Sequence, residues 1–367
     1  MESILTIIIV KSDEYKFQKI LECLSNDIKK CDINFKIISV DSNKNVYAEY
    51  NKIIKIYPAK YRVYISDKVE CIGGILKAII EFFKRNPSCG ILGFYGGVLP
   101  LNGDLHNLSS KYGTYYYNSS LTYYENPLFS QRVDTIDSAM FATSIDIPWD
   151  IDMKTFALSA QCLKMNRYDK NAMVMMVNGA IIKCNLFSDF DVNQIFDDYD
   201  NQRVKFYQRY INELNPLVSV LIPTYNSPDF FHEALKSALA QDYPNIEILV
   251  GDDSTDTRTA ELMKQYSSYS NIKYFNHGGP LGEKGYINGQ FLLNSAKGEY
   301  INYLLHDDIF YPTKISRMME VLKADIDGKI GAVSSIRHLI LQEMSYTIML
   351  LIGSPQRKNV YVVIIRL

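Results

Sequence analysis

Three apolar runs, each ending in turn-forming or acidic residues and separated by helix-length segments, constrain this 367-residue chain more than any other feature. They are Val218-Ser-Val-Leu-Ile-Pro-Thr-Tyr-Asn226, Ile246-Glu-Ile-Leu-Val-Gly-Asp-Asp253 and Tyr300-Ile-Asn-Tyr-Leu-Leu-His-Asp-Asp308. Short runs rich in Val, Ile and Leu suit strands buried on both faces, and helices between them supply the crossovers of a parallel sheet. The pattern predicts strands over 218–223, 247–251, 272–275 and 300–305. It predicts helices over 227–241, 258–269, 286–297 and 314–324. In such a sheet the carboxyl ends of the strands face a ligand crevice. Asp307 and Asp308 at one of those ends offer hard oxygen ligands to a divalent cation that bridges phosphates.

The first half repeats the plan. Ile4 to Val10 reads as an opening strand, Phe35-Lys-Ile-Ile-Ser-Val-Asp41 as a second strand ending in Asp, and Tyr61-Arg-Val-Tyr-Ile-Ser-Asp67 as the counterpart of Tyr300 to Asp307. Gly90-Ile-Leu-Gly93 and Gly331-Ala-Val333 are corresponding short strands with glycine. The interval from Asp41 to Asp67 is much shorter than that from Asp253 to Asp307, so a helix or loop is trimmed in the first copy. A divergent internal duplication is the reading. Asn212-Glu-Leu-Asn-Pro216 marks the seam, because Pro216 stops the polar helical segment just before the next strand.

Composition narrows the classes. A net charge of −2 with no basic stripe argues against nucleic acid as a partner. The six cysteines show no CxxC pairing and read as reduced, which with the lack of a signal peptide predicts a cytoplasmic chain. No run reaches the ~18 to 20 apolar residues that span a bilayer. A peripheral membrane contact stays open.

The segments 218–226, 246–253 and 300–308, in this order, resemble the nucleotide-sugar half of a family 2 glycosyltransferase with the GT-A fold, over about 217–335. Residues 1 to about 210 resemble the StrF-like glycosyltransferase-related domain, on Ile136-Asp-Ser-Ala-Met-Phe-Ala142 and Ile147-Pro-Trp-Asp150. The expected fold is α/β, with two GT-A-like, Rossmann-like domains of mostly parallel sheet in tandem. Domain bounds are 1–211 and 217–335, followed by an atypical tail, 336–367, with the second domain truncated.

The resemblance implies roles for particular residues. Pro223, Thr224 and Tyr225 form the turn that wraps the nucleobase, though Pro and Asn also suit an ordinary strand-ending turn. Asp253 reads the base, but the Gly that usually follows the acidic pair is missing, so Asp252 is an alternative, and either could cap the next helix. Lys284, in Gly278-Gly-Pro-Leu-Gly-Glu-Lys-Gly285, would offset diphosphate charge or sit in a solvated loop. No Walker A or GxGxxG fingerprint is present. The last Asp of the family's DxD signature falls on Asp307, with Asp308 beside it, as ligands of Mn²⁺ or Mg²⁺; its first Asp falls on Leu305, which cannot bind metal. Two solvated Asp capping the helix at Lys314 is the structural alternative. His306 reads as a strand-end side chain.

The donor would be a nucleoside-diphosphate sugar, the acceptor a glycan, polysaccharide or glycoprotein, and the reaction inverting. An inverting enzyme needs a carboxylate base downstream of the DxD. From Ile336 onward the sole acidic residue is Glu343, so no catalytic base is identified. In the first half Lys68 stands where a cation would bind, and that domain is expected to have lost its metal. The alternative function is a catalytically incomplete nucleotide-sugar-binding module or gene fragment.

Overall fold

The computed structural model describes residues 3–29, 34–70, 74–117, 120–124, 130–175, 183–184, 192–324, 330–335 and 362–366. The chain divides into two compact units, Met1–Leu214 and Asn215–Leu367. Cys89 and Cys162 are buried free thiols, whereas Cys31, Cys71 and the side chain of Cys184 lie outside the described residues. Among those residues no helix is long and apolar enough to cross a membrane.

The first unit is built on strands β1 (Ser3–Lys11), β2 (Phe35–Asp41), β3 (Ala59–Ser66), β4 (Cys89–Gly93), β5 (Gln131–Arg132), β6 (Met140–Thr143) and β7 (Asn171–Val174). Their order across the sheet is β2-β1-β3-β6-β4-β7-β5. β1 lies parallel to β2 and β3, while β6 runs antiparallel to β3 and β4. The helices α1 (Glu14–Ile28), α2 (Val46–Ile56), α3 (Ile75–Arg85), α4 (Ala157–Lys164) and α5 (Val192–Leu214) accompany them. Ile7, Ile8 and Ile9 of β1 are all fully buried because the odd and even positions of the strand feed separate apolar clusters on the two faces. Trp149 is core: it stacks on Tyr47 at 5.3 Å between ring centroids and meets Tyr50, Tyr64 and Phe141 edge-on or tilted. Asp150 accepts hydrogen bonds from Arg209 at 2.8 Å and from the Tyr210 hydroxyl at 2.6 Å.

The second unit carries β8 (Val218–Thr224), α6 (Pro228–Leu239), β9 (Ile246–Asp252), α7 (Arg258–Met263), β10 (Ile272–Asn276), α8 (Tyr286–Ser295), β11 (Tyr300–Tyr303), α9 (Lys314–Ala324), β12 (Ala332–Ser335) and β13 (Val362–Arg366). The strand order is β10-β9-β8-β11-β13-β12. β8, β9, β10 and β11 are mutually parallel, and β13 runs antiparallel to β11 and β12.

Both sheets share a core: β2-β1-β3 and β9-β8-β11 side by side, then an antiparallel strand taken from farther down the chain, then a short strand, β4 in the first unit and β12 in the second. The antiparallel strand is β6 in the first unit and β13 in the second. The first unit has no counterpart of β10, which is what its short interval between Asp41 and Asp67 leaves out. The fold is mixed α/β, with two glycosyltransferase-like domains in tandem. β13 also qualifies the reading of residues 336–367 as a tail. Its run Val-Val-Ile-Ile is of residue types enriched in strands, and its backbone pairs within the sheet. Residues 336–361, including Glu343 and the apolar run 348–352, lie outside the described residues.

At the amino edge of the second sheet, Glu247 ties three segments together. It accepts from Ser219 Oγ and the backbone N–H of Lys297, both at 2.6 Å, and from Lys273 Nζ at 2.5 Å. Burial opposes its ionisation, but these donors outweigh burial and hold its pKa below the ordinary value. Gly298 donates to Ser219 Oγ at 2.8 Å, and a Cβ on it would sit 2.6 Å from the Ser219 backbone nitrogen.

Two outcomes follow. Gly298→Ala should lower unfolding stability by roughly 1–3 kcal/mol through overpacking, whereas Gly331→Ala, with open space around its Cβ, should be near neutral in the same urea titration. Glu247→Gln should destabilise at pH 7. Because the depressed pKa contributes stability above the unfolded value and loses it as pH falls through the folded one, that difference should shrink below about pH 4.

Candidate functional site at the carboxyl edge of the second sheet

The chain runs from β8 outward through β9 to β10, then returns to β11 on the other side of β8. That reversal leaves a crevice beyond the carboxyl ends of β8 and β11, the position where open α/β sheets bind ligands. The register aligns the ends: Thr224 pairs with Asp252, and Leu304 still donates to Leu221 O at 2.9 Å as the chain leaves β11.

The turn after β8 is locked to the end of β9. Asn226, in the left-handed region at φ 49°, donates its backbone N–H to Ser254 Oγ at 2.9 Å. Its side-chain oxygen accepts the Thr255 backbone N–H at 2.9 Å, and its amide donates to Thr255 Oγ1 at 3.1 Å. Asn is among the few residues that tolerate this backbone while bonding locally. Tyr225 is thereby held outward, 47% exposed, from a fixed turn. Pro223 is half-buried and Thr224 buried, with its hydroxyl unpartnered among the described residues.

Asp252 and Asp253 are both buried but in opposite states. Asp252 spends one oxygen on the Ser254 backbone N–H at 2.9 Å and the other on the Tyr274 hydroxyl at 2.5 Å. Asp253 is anchored through its backbone N–H to Thr224 O at 3.0 Å, yet its Oδ1 is buried without a partner. Burial raises its pKa above the ordinary carboxylate value, with the charge of Asp252 adding to this; the Leu281 backbone and His277 oppose it.

Sequence reasoning missed two neighbours. Asn288, on α8, is buried and donates to Gly251 O at 2.8 Å while its own oxygen stays unpartnered. Gly251 has to be glycine, since a Cβ there would lie 2.0 Å from that Asn288 oxygen. His277 donates its backbone N–H to Asp252 O at 3.0 Å, packs edge-on against Phe291, and leaves Nε2 unpartnered. Unpartnered buried polar atoms are rare in folded proteins, and four of the five in the described part of this unit belong to Thr224, Asp253, His277 and Asn288. Asn215 is the fifth, although other interactions engage it. Gly251 was the available signal, as a glycine inside a buried strand marks a close approach.

Lys284 lies beyond β10 in a turn where Gly282, Glu283, Lys284 and Gly285 all take positive φ. It is exposed, and no contact joins it to the other candidates. Asp307 is exposed and makes no hydrogen bond or ion pair among the described residues, while Asp308 is half-buried with its backbone N–H on Leu305 O at 3.0 Å. Leu305 is 47% exposed. A free carboxylate at a strand end fits a hard divalent cation. No cluster of three or more His, Cys, Asp or Glu surrounds it among the described residues, so water and phosphate oxygens would complete the coordination, the usual arrangement for Mg²⁺.

The corresponding carboxylate of the first unit is closed. Asp67 is buried and accepts from Ser12 Oγ at 2.7 Å, from the Asp13 backbone N–H at 2.9 Å and from the Ser12 backbone N–H. Its acceptor sites are occupied by the turn after β1. A surface depression of about 340 Å³ lined by Pro228, Asp229, His232, Arg258 and Glu261 lies between α6 and α7, where Arg258 also donates to Asn226 O at 3.5 Å.

The model of the Glycosyltransferase like family matches residues 6–210, and the chain belongs to that family; the model of Glycosyl transferase family 2 matches residues 219–352. An uncharacterized glycosyltransferase of Rickettsia typhi is 38% identical over 118 residues, covering 32% of this chain and 35% of the relative. The UDP-Glc:alpha-D-GlcNAc-diphosphoundecaprenol beta-1,3-glucosyltransferase WfaP of Escherichia coli is 35% identical over 109 residues, 30% of this chain and 42% of the relative. The chain thus spans well under two thirds of these curated relatives. Among solved structures, S. aureus TarS 1-349 in complex with UDP is 28% identical over 29% of this chain and 32% of that one, with a TM-score of 0.27. The mannosyltransferase PcManGT from Pyrobaculum calidifontis, in complex with GDP-Man and Mn²⁺, is 26% identical over 34% of this chain and 36% of that one, with a TM-score of 0.29.

A raised carboxyl pKa is a cost once the group ionises, so the Asp253 penalty is present at pH 7 and disappears below the unfolded value near 4. Asp253→Asn should therefore unfold at higher urea than wild type at pH 7, with the two midpoints converging toward pH 4. Asp252→Asn should instead unfold earlier at pH 7, because it weakens the bonds to Ser254 and Tyr274.

Proposed function

We propose that the second unit holds a nucleoside-diphosphate sugar at its carboxyl edge and serves a metal-dependent, inverting glycosyltransferase acting on a glycan, polysaccharide or glycoprotein acceptor. One observation carries this reading: the fixed Tyr225 turn is flanked on one side by a buried carboxylate with a free oxygen and on the other by an exposed, unengaged one. Two carboxylates in such different settings suit two tasks.

Asp253 Oδ1 is suited to accept an N–H from a nucleobase. Discharging an unpartnered buried acceptor is worth about 1–3 kcal/mol, which makes the base itself part of the completed fold. Asp252 keeps the β9 end rigid for it. Tyr225 packs against the base from a turn that Asn226 locks, so little side-chain freedom is lost on binding. Asp307, with Asp308 beside it, would hold Mn²⁺ or Mg²⁺. When bound, such a cation offsets the negative charge that builds on the departing nucleoside diphosphate. Lys284 would add charge if its loop folds over the phosphates. That WfaP is named for a UDP-sugar donor supports the donor class. The first unit, with Asp67 spent on its own turn, is read as a transferase fold that no longer binds metal.

Calorimetric titration of UDP, GDP and dTDP with and without Mn²⁺ tests the proposal. Wild type should bind one of them more tightly with Mn²⁺. Asp307→Ala should abolish the metal-linked gain, and Asp253→Ala should weaken binding about tenfold or more with or without metal. Failure of every nucleotide to bind would overturn the donor-site assignment. If donor binds but no sugar is transferred to any acceptor or to water, the protein is a nucleotide-sugar-binding module.

A further inference from the structure

The turn bearing Asp307 and Asp308 is held on its two sides by different means. Downstream it is fastened to the end of α6. Ser237 Oγ accepts the Phe310 backbone N–H at 3.0 Å, and Asp242 donates its backbone N–H to Pro312 O at 2.9 Å. The Gln241 amide donates to Tyr311 O at 2.8 Å and accepts from the Ile315 backbone N–H at 3.0 Å. On the strand side the fastening is Lys314. Its ammonium donates to Asn302 Oδ1 at 2.9 Å and lies 3.5 Å from the centroid of the Phe310 ring. Asn302 is fully buried in β11, with its amide directed at Met318 Sδ. One ammonium therefore bridges the strand before the carboxylates and the loop after them.

The choice of lysine is costly. No acidic side chain pairs with Lys314 among the described residues, and burial pushes its pKa down to about 7. Methionine would fill the same slot without a charge to desolvate. Residues that break a local stability rule in this way collect where function requires them.

We propose that Lys314 is the positioning residue of the Asp307–Asp308 turn, holding those carboxylates in the geometry that a divalent cation needs. The inference rests on the assignment of Asp307 as a metal-binding carboxylate. Lys314 acts through Asn302 and Phe310, and removing an outer partner of this kind costs metal sites about 10- to 100-fold in affinity.

The test compares wild type, Asp307→Ala, Lys314→Met and Lys314→Gln of the full chain for binding of UDP and GDP at pH 7.5, with and without Mn²⁺, alongside thermal melting. In Lys314→Met the metal-free affinity should match wild type and the melting temperature should be equal or higher, while the Mn²⁺-linked gain falls 10- to 100-fold. Retention of the full gain would overturn the proposal. Loss of metal-free binding or of stability together with the gain would also overturn it, because Lys314 would then be scaffold. Should the Met variant not fold, Lys314→Gln, which keeps a donor toward Asn302 without the charge, is judged by the same criteria. If wild type shows no Mn²⁺-linked gain, or Asp307→Ala keeps it, the donor-site assignment itself fails; if only the Lys314 variants behave as wild type, that assignment stands.

Discussion

Everything at the candidate site depends on β8 being gripped by parallel neighbours on both sides. With β9 and β11 in register against it, the ends of three strands are brought level, and the backbone bond from Asp253 to Thr224 carries that alignment past the sheet itself. The grip is apolar in origin: Val218, Val220, Leu221 and Ile222 are fully buried, so a slip of one residue would exchange the side chains between the two faces. Stability at the centre of the sheet thus sets precision at its edge. The edge in turn is furnished with polar atoms that the fold leaves without partners.

The two units treat similarly placed carboxylates differently. Asp67 follows β3, which borders β1, and Asp307 follows β11, which borders β8. In the first unit the turn after β1 bends back and satisfies the carboxylate with backbone and hydroxyl donors. In the second, the turn after β8 is drawn toward β9 by Asn226 instead, and Asp307 remains open to solvent. The difference lies in which strand end the first turn embraces.

Much of the strand and helix pattern was legible because buried parallel strands appear as continuous apolar runs, and the helices between them keep their period. Most bounds shift by a residue or two, as at Thr224 and Asp252, where pairing continues into polar residues, but the helix expected over 258–269 ends at Met263 and tightens into a 3₁₀ turn over Lys264–Tyr266. Less legible was what depends on contacts distant in sequence. Adjacent Asp252 and Asp253 look equivalent on paper; their separation into an engaged and a free carboxylate requires Tyr274, which lies on the neighbouring strand. Asn288 gave no periodic signal of its own, and only Gly251 hinted at it. Lys68 drew the attention in the sequence of the first unit, whereas the hydrogen bonds that engage Asp67 could not be read there. β13 escaped because its pairing with β11 and β12 joins residues far apart in the chain.

β13 also bears on how the second unit is made. β11, which leads into Asp307, is bordered on one side by β8 and on the other by a strand that pairs Tyr300 with Arg366. As the chain emerges from a ribosome, β8 through β11 can assemble from local crossovers, but the outer flank of β11 stays an unpaired backbone edge until a segment more than a helix and a strand later has been synthesised. Exposed edges of this kind recruit other strands, and long-range pairings form slowly. The period between translation of Tyr303 and of Arg366 is therefore an interval in which this edge is open to mispairing.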